Sequence, residues 1–362
     1  MQKIKIIMLG PSLSQQGGVA NYEKLFLQYA PEQVQISHII THQEGSIAAK
    51  IWVFLSGIFK FIGVLLTQEV DIVQLEISQR GSAFRQAIMT FIAWIFRKPI
   101  IVHAHGSQFH EFYLGLSQWM QQLLSWIFGK CQRFIVLSAS WQEFYTNTFG
   151  LKPEQVVVLY NPVKVPSSVP HRADAQKVNL LFLGRVGERK GAFDLIRAFS
   201  LLPEQQKIKS SLIMAGDGDL ETAHNLVKTL NLEDYIKLPG WIGAEARDIL
   251  LSQANVFILP SYNEGLPLAM LEAMAWELPV IVTPVGGISE IVIHGENGLI
   301  VKPGNIEQLS NGINSLIENE NFRLSLGSQA RVSMIPLDIK KHWESCLDLY
   351  NLVLNQKGKF SS

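Results

Sequence analysis

Residues 261–275 read SYNEGLPLAMLEAMA and directly follow the apolar run ANVFILP at residues 254–260. The length and β-branched content of that run predict a buried parallel strand that ends at Pro260. Leu268 to Trp276 reads as a helix, because Leu, Ala, Met and Glu favour helix. The polar residues between the two elements therefore lie at the carboxyl end of a strand, where open α/β sheets bind ligands.

Two carboxylates flank the start of this predicted helix: Glu264 lies in the loop before it, and Glu272 lies about two turns inside it. Backbone N–H groups at a helix N-terminus attract phosphate, whereas carboxylates repel it. The acids are better suited to accept hydrogen bonds from the hydroxyl groups of a sugar that the phosphate carries. The stretch therefore predicts a site for a phosphorylated sugar.

An ordered set of short motifs extends this pattern over roughly residues 180 to 305. In order, they are Gly184-Arg185 with Lys190-Gly191, Gly216-Asp217-Gly218, Leu238-Pro239-Gly240, Pro260-Ser261, Glu264-x7-Glu272 with Gly265 and Pro267, Pro279-Val280, and Gly286-Gly287-x2-Glu290. One pair of acids at such spacing is common on helices, but the whole set resembles the signature of family 4 of the retaining glycosyltransferases. That resemblance implies an α/β protein of GT-B architecture, in which two Rossmann-like domains face each other across a cleft and a C-terminal helix crosses back to the N-terminal domain.

The length of 362 residues accommodates two domains of ordinary size. Hydrophobic residues make up 48% and charged residues 17%, which excludes a disordered chain. Prolines and serines between residues 162 and 170 predict a linker. We expect an N-terminal acceptor-binding Rossmann-like domain at 1–165, a C-terminal nucleotide-sugar-binding domain at 172–336, and a crossing-back helix at about 337–356.

The cysteine content and the N-terminus both indicate a cytoplasmic protein. Cys131 and Cys346 are the two cysteines and lie far apart, so a disulfide framework is not expected. The first nine residues form a strand-like run with internal lysines rather than a signal peptide. Residues 1–165 hold 13 Lys and Arg against 9 Asp and Glu, a balance that suits an anionic membrane surface. We therefore expect a cytoplasmic protein, and the excess of cations reads either as chance scatter of surface charge or as peripheral contact at the inner face of the membrane.

Two apolar segments of the first half bear on that contact. Ile51 to Leu66 is 16 residues long and contains Lys60, which is short for a membrane span of about 20 residues. It is expected to form a core or interfacial helix. Ala87 to Lys98 ends in two cations and reads either as an amphipathic helix packed on the sheet or as a helix lying on a membrane.

Arg185 and Lys190 follow the predicted strand Val178–Leu183 and precede a predicted helix. Two fixed cations at a strand end are suited to a departing diphosphate. In the family that this chain resembles, the matching arginine and lysine bind the donor's pyrophosphate, which implies the same role here. Arg189 is the neighbour most easily confused with them.

The resemblance implies further donor contacts in both halves. Gly18, in a glycine loop between a strand and a helix, is expected to face the donor's phosphates, and His105 is expected to reach the donor sugar, with His103 and His110 as substitutes. Glu264 is expected to hold the sugar hydroxyls and Glu272 the ribose hydroxyls. The remaining donor-binding candidates are Gly184, Gly216, Gly240, Trp241, Gly265, Leu266, Pro267 and Leu268.

Asp217-Gly218-Asp219 is a tripeptide that ligates divalent cations in other glycosyltransferases. Here it coincides with the family's Gly-x-Gly turn, so neither a metal site nor a cofactor is expected. In the first half, Phe109, Phe112 and Tyr113 are expected in a loop that walls an acceptor pocket. Residues 80–85 are placed in a second such loop.

The resemblance implies a retaining glycosyltransferase that moves a hexose-type sugar from a nucleoside diphosphate sugar to a glycan or lipid-linked acceptor, with no nucleic-acid partner. A nucleotide-sugar epimerase of the same two-domain form, or an inactive sugar-nucleotide-binding subunit, stays open as an alternative. A dinucleotide oxidoreductase is disfavoured, because Gly216-x-Gly218 lacks a third glycine in register.

Overall fold

The structure, a computed structural model, describes residues 3–357. The chain divides into two compact units: unit 1 comprises the chain up to Pro162 together with the part from Ile339, and unit 2 comprises Val163–Asp338. Each unit is built on one six-stranded parallel sheet flanked by helices. The predicted α/β class with two Rossmann-like sheets is confirmed.

Unit 1 holds the first half of the chain and the last helix. Its strands are β1 Ile4–Pro11, β2 Val34–His42, β3 Ile72–Ile77, β4 Ile100–Ala104, β5 Arg133–Val136 and β6 Val156–Val158. Its helices are α1 Gly18–Gln28, α2 Ile47–Thr67, α3 Gly81–Ile95, α4 Phe109–Leu114, α5 Gln118–Phe128, α6 Ala139–Glu143 and α15 Ile339–Lys357.

The strand order in unit 1 is β2-β1-β3-β4-β5-β6, with every neighbouring pair parallel. Every residue of β3 and β4 is buried, because helices cover both faces of a parallel sheet. The chain runs from β1 outward to β2 and then returns to β3 on the other side of β1. The loops after β1 and β3 therefore flank a topological switch point.

Unit 2 repeats this plan. Its strands are β7 Val178–Leu183, β8 Ser210–Ala215, β9 Ile236–Gly240, β10 Val256–Leu259, β11 Val280–Val282 and β12 Gly298–Ile300. Its helices are α7 Ala192–Ser200, α8 Glu204–Ile208, α9 Leu220–Thr229, α10 Ala244–Gln253, α11 Leu268–Ala275, α12 Ile288–Ile291, α13 Ile306–Glu318 and α14 Glu320–Met334. The strand order is β12-β11-β10-β7-β8-β9, all parallel. Its switch point lies between β7 and β10.

Helix α15 packs on unit 1, as the sequence predicted for a helix at about 337–356. The Trp343 ring stacks on Phe26 at a centroid distance of 3.9 Å, and its Nε1 donates to the Phe26 carbonyl oxygen at 3.1 Å. Further along α15, the Tyr350 hydroxyl donates to Gln74 Oε1 on β3 at 2.6 Å. Aromatic burial and hydrogen bonds to buried groups therefore fix α15 against the first sheet.

Two loop predictions for unit 1 are wrong, and one predicted helix is longer than expected. The apolar segment at 51–66 belongs to the longer helix α2 of 21 residues, which is long and apolar enough to cross a membrane by length and composition. The predicted loop at Phe109 is helix α4 instead, and Phe109 and Tyr113 are buried in the core of unit 1. Residues 81–85, likewise predicted as loop, form the first turn of α3.

Candidate functional site

An ion pair occupies the switch point of unit 2. Lys190 follows β7 and Glu264 follows β10, and these two strands are neighbours in the sheet. Lys190 Nζ lies 2.5 Å from Glu264 Oε1, with the side chains 15% and 7% exposed. Two residues 74 positions apart are thus brought together at the place where open parallel sheets bind ligands.

Glycines allow the loops that carry this pair to approach each other. Gly191 has φ +67°, and a Cβ there would overlap the Pro260 carbonyl oxygen. Gly286, after β11, has φ +58°, and a Cβ there would overlap the Glu264 carbonyl oxygen. Since both positions need positive φ and close backbone contact, glycine is the residue that fits them. The loops after β7, β10 and β11 are therefore packed backbone against backbone.

Hydrogen bonds from the same loops fix the Glu264 carboxylate. The Ser261 hydroxyl donates to Glu264 Oε1 at 2.8 Å, and the Thr283 hydroxyl donates to the Ser261 carbonyl oxygen at 2.5 Å. Arg189 Nη1 donates to the Asn263 carbonyl oxygen at 3.1 Å. Arg189 therefore binds the loop itself, whereas Lys190 binds the carboxylate.

Arg185 lies on the surface and is held only loosely. Its Nη1 is 3.3 Å from Asp217 Oδ2, and the two side chains are 68% and 40% exposed. An exposed pair of this kind contributes little to stability and breaks readily. Asp219 accepts a hydrogen bond from the Thr222 backbone at 3.1 Å and caps α9. The two acids of the Asp-x-Asp tripeptide thus have separate partners.

Glu272 lies within α11 and pairs with an arginine that the sequence did not single out. Its Oε1 is 2.8 Å from Arg247 Nη1 on α10. Burial raises the pKa of Glu272 to about 7; Arg247 opposes that rise, and Asp248 adds to it. Burial disfavours the charged form of a carboxyl group more than one partly exposed guanidinium compensates. Glu272 therefore changes protonation near neutral pH.

The other predicted residues of unit 2 lie at the carboxyl ends of its strands. Because all six strands are parallel, these ends share one edge of the sheet. Trp241, after β9, is exposed, whereas Gly265, Leu266 and Pro267 are buried. The members of this group are Gly184 after β7, Gly216 after β8, Gly240 and Trp241 at the end of β9, and Gly265, Leu266, Pro267 and Leu268 leading into α11.

In unit 1, His105 follows β4 and is held by a carboxylate on the neighbouring strand. His105 Nε2 and Glu76 Oε2 are hydrogen-bonded at 2.6 Å. Glu76 Oε1 accepts from Gln74 Nε2 at 2.7 Å, and Gln74 in turn accepts from Tyr350. Buried hydrogen bonds thus connect α15 to His105.

The two alternative histidines differ from His105 in position. His103 is fully buried, and burial lowers its pKa well below the ordinary value. His110 lies on α4, where its side chain is 41% exposed. Glu76, His103 and His105 are also the one group with metal-ligand spacing among residues 3–357, but Glu76 and His105 are in direct hydrogen-bond contact.

Gly18 is the first residue of α1, and its surroundings are open. It is exposed, and a Cβ there would meet no atom within 4 Å. The glycine is therefore not required by packing within unit 1. Both Gly18 and His105 follow strands at the carboxyl edge of the first sheet.

Sequence reasoning missed Arg247 and Glu76, for different reasons. Arg247 lies on a mostly polar helix, where nothing distinguishes it from a solvated arginine. Glu76 did leave a signal, because Gln74 and Glu76 alternate within an otherwise apolar strand. Two polar residues on one face of a fully buried strand indicate a buried polar network.

Two family models match the chain over adjacent regions. Glycosyl transferases group 1 matches residues 167–333, and Glycosyltransferase Family 4 matches residues 22–165. Together the two matches take in most of the chain and follow the division into units 2 and 1.

Curated relatives match over part of their length. An uncharacterized glycosyltransferase of Methanocaldococcus jannaschii is 29% identical over 251 residues, which are 65% of this chain and 64% of the relative. The capsular polysaccharide biosynthesis glycosyltransferase CapM of Staphylococcus aureus is 29% identical over 186 residues, 49% of this chain and 47% of that protein. The match therefore spans less than two thirds of either relative.

Among solved structures, Anabaena HepE in complex with UDP has a TM-score of 0.77 and 20% identity, covering 96% of this chain and all of that one. The same protein has also been solved in complex with UDP-glucose. At this identity the likeness shows the fold, and it confirms the architecture predicted from the motifs.

Proposed function

Because this chain belongs to glycosyltransferase family 4 and has the GT-B fold, we propose that it transfers a hexose-type sugar from a nucleoside diphosphate sugar to a glycan or lipid-linked acceptor. HepE, which has the same fold, was solved with UDP and with UDP-glucose, and CapM is named for capsular polysaccharide biosynthesis. The HepE complexes support a nucleoside diphosphate sugar as donor, and the name of CapM supports a role in the synthesis of cell-surface or exopolysaccharide.

The observation that carries this proposal is the Lys190–Glu264 pair at the switch point of unit 2. A lysine held beside a carboxylate is already desolvated and oriented before any anion arrives. A diphosphate that binds at the loop after β7 competes with Glu264 for the ammonium group. Glu264 is then released to accept hydrogen bonds from the sugar hydroxyls.

The proposed reaction breaks the bond between the anomeric carbon and the diphosphate oxygen and forms a bond from that carbon to an acceptor hydroxyl oxygen. The acceptor proton goes to the departing diphosphate. Lys190, Arg185 and the backbone amides of α11 stabilise the charge that develops on the leaving group. The reaction needs no metal ion and retains the anomeric configuration.

Glu272 is proposed to accept the ribose hydroxyls. Arg247 keeps its carboxyl group oriented in the absence of donor. Gly18 and His105 are proposed to contribute to donor binding from unit 1. The acceptor and the location at the cytoplasmic face of a membrane are likewise proposals.

Donor binding is tested first. Thermal shift of the full chain with UDP-, GDP- and dTDP-linked hexoses identifies the nucleotide, and calorimetry gives its Kd. Lys190→Ala should weaken binding about 10- to 100-fold, the loss of a charge-assisted hydrogen bond of about 1.5–3 kcal/mol. Lys228→Ala is the matched control, because Lys228 is exposed on α9. Equal Kd values for the two variants would contradict the assignment.

Turnover separates the proposed transferase from its alternatives. The best donor is incubated with candidate glycan and lipid-linked acceptors, with and without EDTA, and the product linkage is read by NMR. A product with the donor's anomeric configuration, formed equally with EDTA, supports the proposal. Conversion of the donor without acceptor into an epimer of its sugar identifies an epimerase, and tight binding without either product identifies an inactive subunit.

A further inference from the structure

Unit 1 exposes an unusual number of large apolar side chains, and they are concentrated on three helices. On α2, Trp52 and Phe59 are 73% and 74% exposed. The exposed apolar residues of these helices are Ile47, Ile51, Trp52, Leu55, Phe59 and Leu66 on α2, Ile88, Phe91, Trp94 and Ile95 on α3, and Trp119, Leu123 and Trp126 on α5. We call this set the apolar surface. Concentrations of exposed apolar residues mark interaction sites rather than ordinary protein surface.

The spacing of these residues gives each helix two apolar sides. On α2, Ile47, Ile51, Leu55 and Phe59 recur every four residues, while Gly57, Phe61 and Leu65 are buried. On α5, the exposed residues Trp119, Leu123 and Trp126 recur at intervals of four and three. One apolar side of each helix packs on the sheet. The other faces away from it.

The three helices lie side by side over one core. Buried residues of α2, α3 and α5 belong to a single hydrophobic cluster with the strands of the first sheet. Helix α2 contacts α3, and α3 contacts α5. The Trp94 ring lies 5.8 Å from Trp126, and Phe91 lies 6.2 Å from it. The exposed sides therefore point away from the same core, and those of α3 and α5 meet at Trp126.

The charges of this surface have one sign. Helices α2, α3 and α5 contain no Asp or Glu. Lys50 and Lys60 are exposed on α2, and Arg97 is exposed just after α3. The Lys130 ammonium, just after α5, lies 4.3 Å from the centroid of the Trp126 ring. Tryptophans beside cations on an apolar helix face are the composition of helices that lie in the interface of an anionic membrane.

From these observations we propose that the exposed sides of α2, α3 and α5 dock unit 1 onto the surface of an anionic phospholipid bilayer. The tryptophan and phenylalanine rings enter the boundary between headgroups and acyl chains, and the lysines and Arg97 contact lipid phosphates. This inference rests on the membrane location proposed above and assigns the surface that makes the contact, but its test does not depend on sugar transfer. A membrane-docked unit 1 holds the protein where a lipid-linked acceptor is presented.

Helix α2 lies on the bilayer rather than across it. Phe61 and Leu65 are buried in the core of unit 1. At Gly57, a Cβ would lie 2.7 Å from the Ile40 carbonyl oxygen, so α2 approaches the backbone of β2 closely. To cross a membrane, α2 would have to abandon these contacts and carry Lys60 into the hydrocarbon. The docked orientation keeps both the core and the lysine in place.

The test is flotation of the full chain with vesicles of phosphatidylcholine alone or with phosphatidylglycerol added. We expect binding to the anionic vesicles. Phe59→Glu should weaken it at least 10-fold, because insertion of a phenyl ring is lost. Lys50→Gln with Lys60→Gln should weaken it about 5-fold per lysine. Ile208→Glu, at an exposed apolar position on α8 of unit 2, is the matched control and should bind as the wild type does.

Further measurements distinguish docking on the bilayer from insertion across it and from binding of a second copy of this chain. Alkaline carbonate should release the protein from the vesicles, and Trp52→Phe should lower the quenching of tryptophan fluorescence by brominated lipid. Thermal unfolding should be unchanged in Phe59→Glu, because the ring is exposed. Absence of flotation, equal flotation of Phe59→Glu and wild type, or retention after carbonate overturns the proposal. A vesicle-free dimer that Phe59→Glu dissociates overturns it in favour of a second copy.

Discussion

Replacing only one residue of the Lys190–Glu264 pair should destabilise unit 2 more than replacing both. At 2.5 Å and an effective dielectric constant of about 20, the attraction is about 7 kcal/mol. Desolvation of the two ions costs several kcal/mol each, so the net contribution of the pair is small. Removing one partner leaves a buried charge uncompensated and costs about 3–5 kcal/mol. For Lys190→Met we expect the lower end, because the Ser261 hydroxyl still donates to the carboxylate.

The assay is differential scanning calorimetry of the full chain, which separates transitions of different units. About 3 kcal/mol in a unit of this size lowers its Tm by roughly 6–12 °C. The double variant Lys190→Met with Glu264→Gln should recover most of that loss. Arg185→Met is the control, because Arg185 pairs with Asp217 on the surface and such pairs contribute roughly 0–1 kcal/mol. The reasoning is refuted when Lys190→Met lowers Tm no more than Arg185→Met does. It is also refuted when the effects of Lys190→Met and Glu264→Gln on Tm add up in the double variant.

Three other predictions follow from single contacts. Burial raises the pKa of Glu272 to about 7, and the ionised carboxylate is the better hydrogen-bond acceptor, so the affinity for UDP should rise from pH 6 to pH 8. Calorimetry should show a smaller rise in Glu272→Gln, because only the nucleotide titrates there. Glu76→Gln removes a charged partner of His105, so kcat should fall about 10-fold while KM changes little. That fall corresponds to about 1.4 kcal/mol in the activation barrier. An unchanged kcat with lower stability would make Glu76 purely structural. Gly191→Ala should destabilise unit 2 by more than about 1–2 kcal/mol, because φ is +67° and the added methyl group would overlap backbone atoms. Gly187→Ala is the control: a Cβ there meets no atom within 4 Å, so Tm should be nearly unchanged.

The fold of unit 2 was predictable because its strands are short apolar runs that each end in glycine, proline or a polar residue. Val178–Leu183 and Val256–Leu259 show this pattern, and the structure has them as β7 and β10. Their adjacency brings Lys190 to Glu264, and the ordered motifs anticipated it. The direct ion pair between them was not anticipated, because the motifs predict a shared site but not which side chains within it contact each other.

Unit 1 was harder to predict, because apolar composition alone does not separate helix, strand and loop. Strand β2 has a half-exposed, alternating pattern and went unnoticed. The segment at Phe109 was predicted as a loop, yet its aromatic rings are buried by α4. Helix α2 extends beyond its most apolar part because Ser46 caps it at the N-terminus, four residues before Lys50. The exposed apolar side of α2 was not predictable, because the sequence does not show which of its apolar residues are buried against the sheet.

The most direct test of the account is a crystal structure of the protein with UDP. We predict that the diphosphate lies at the carboxyl edge of the second sheet between β7 and β10, with oxygens about 2.7–2.9 Å from Lys190 Nζ. The ribose hydroxyls should contact Glu272. UDP bound away from that edge, with the Lys190–Glu264 pair intact, would contradict the account.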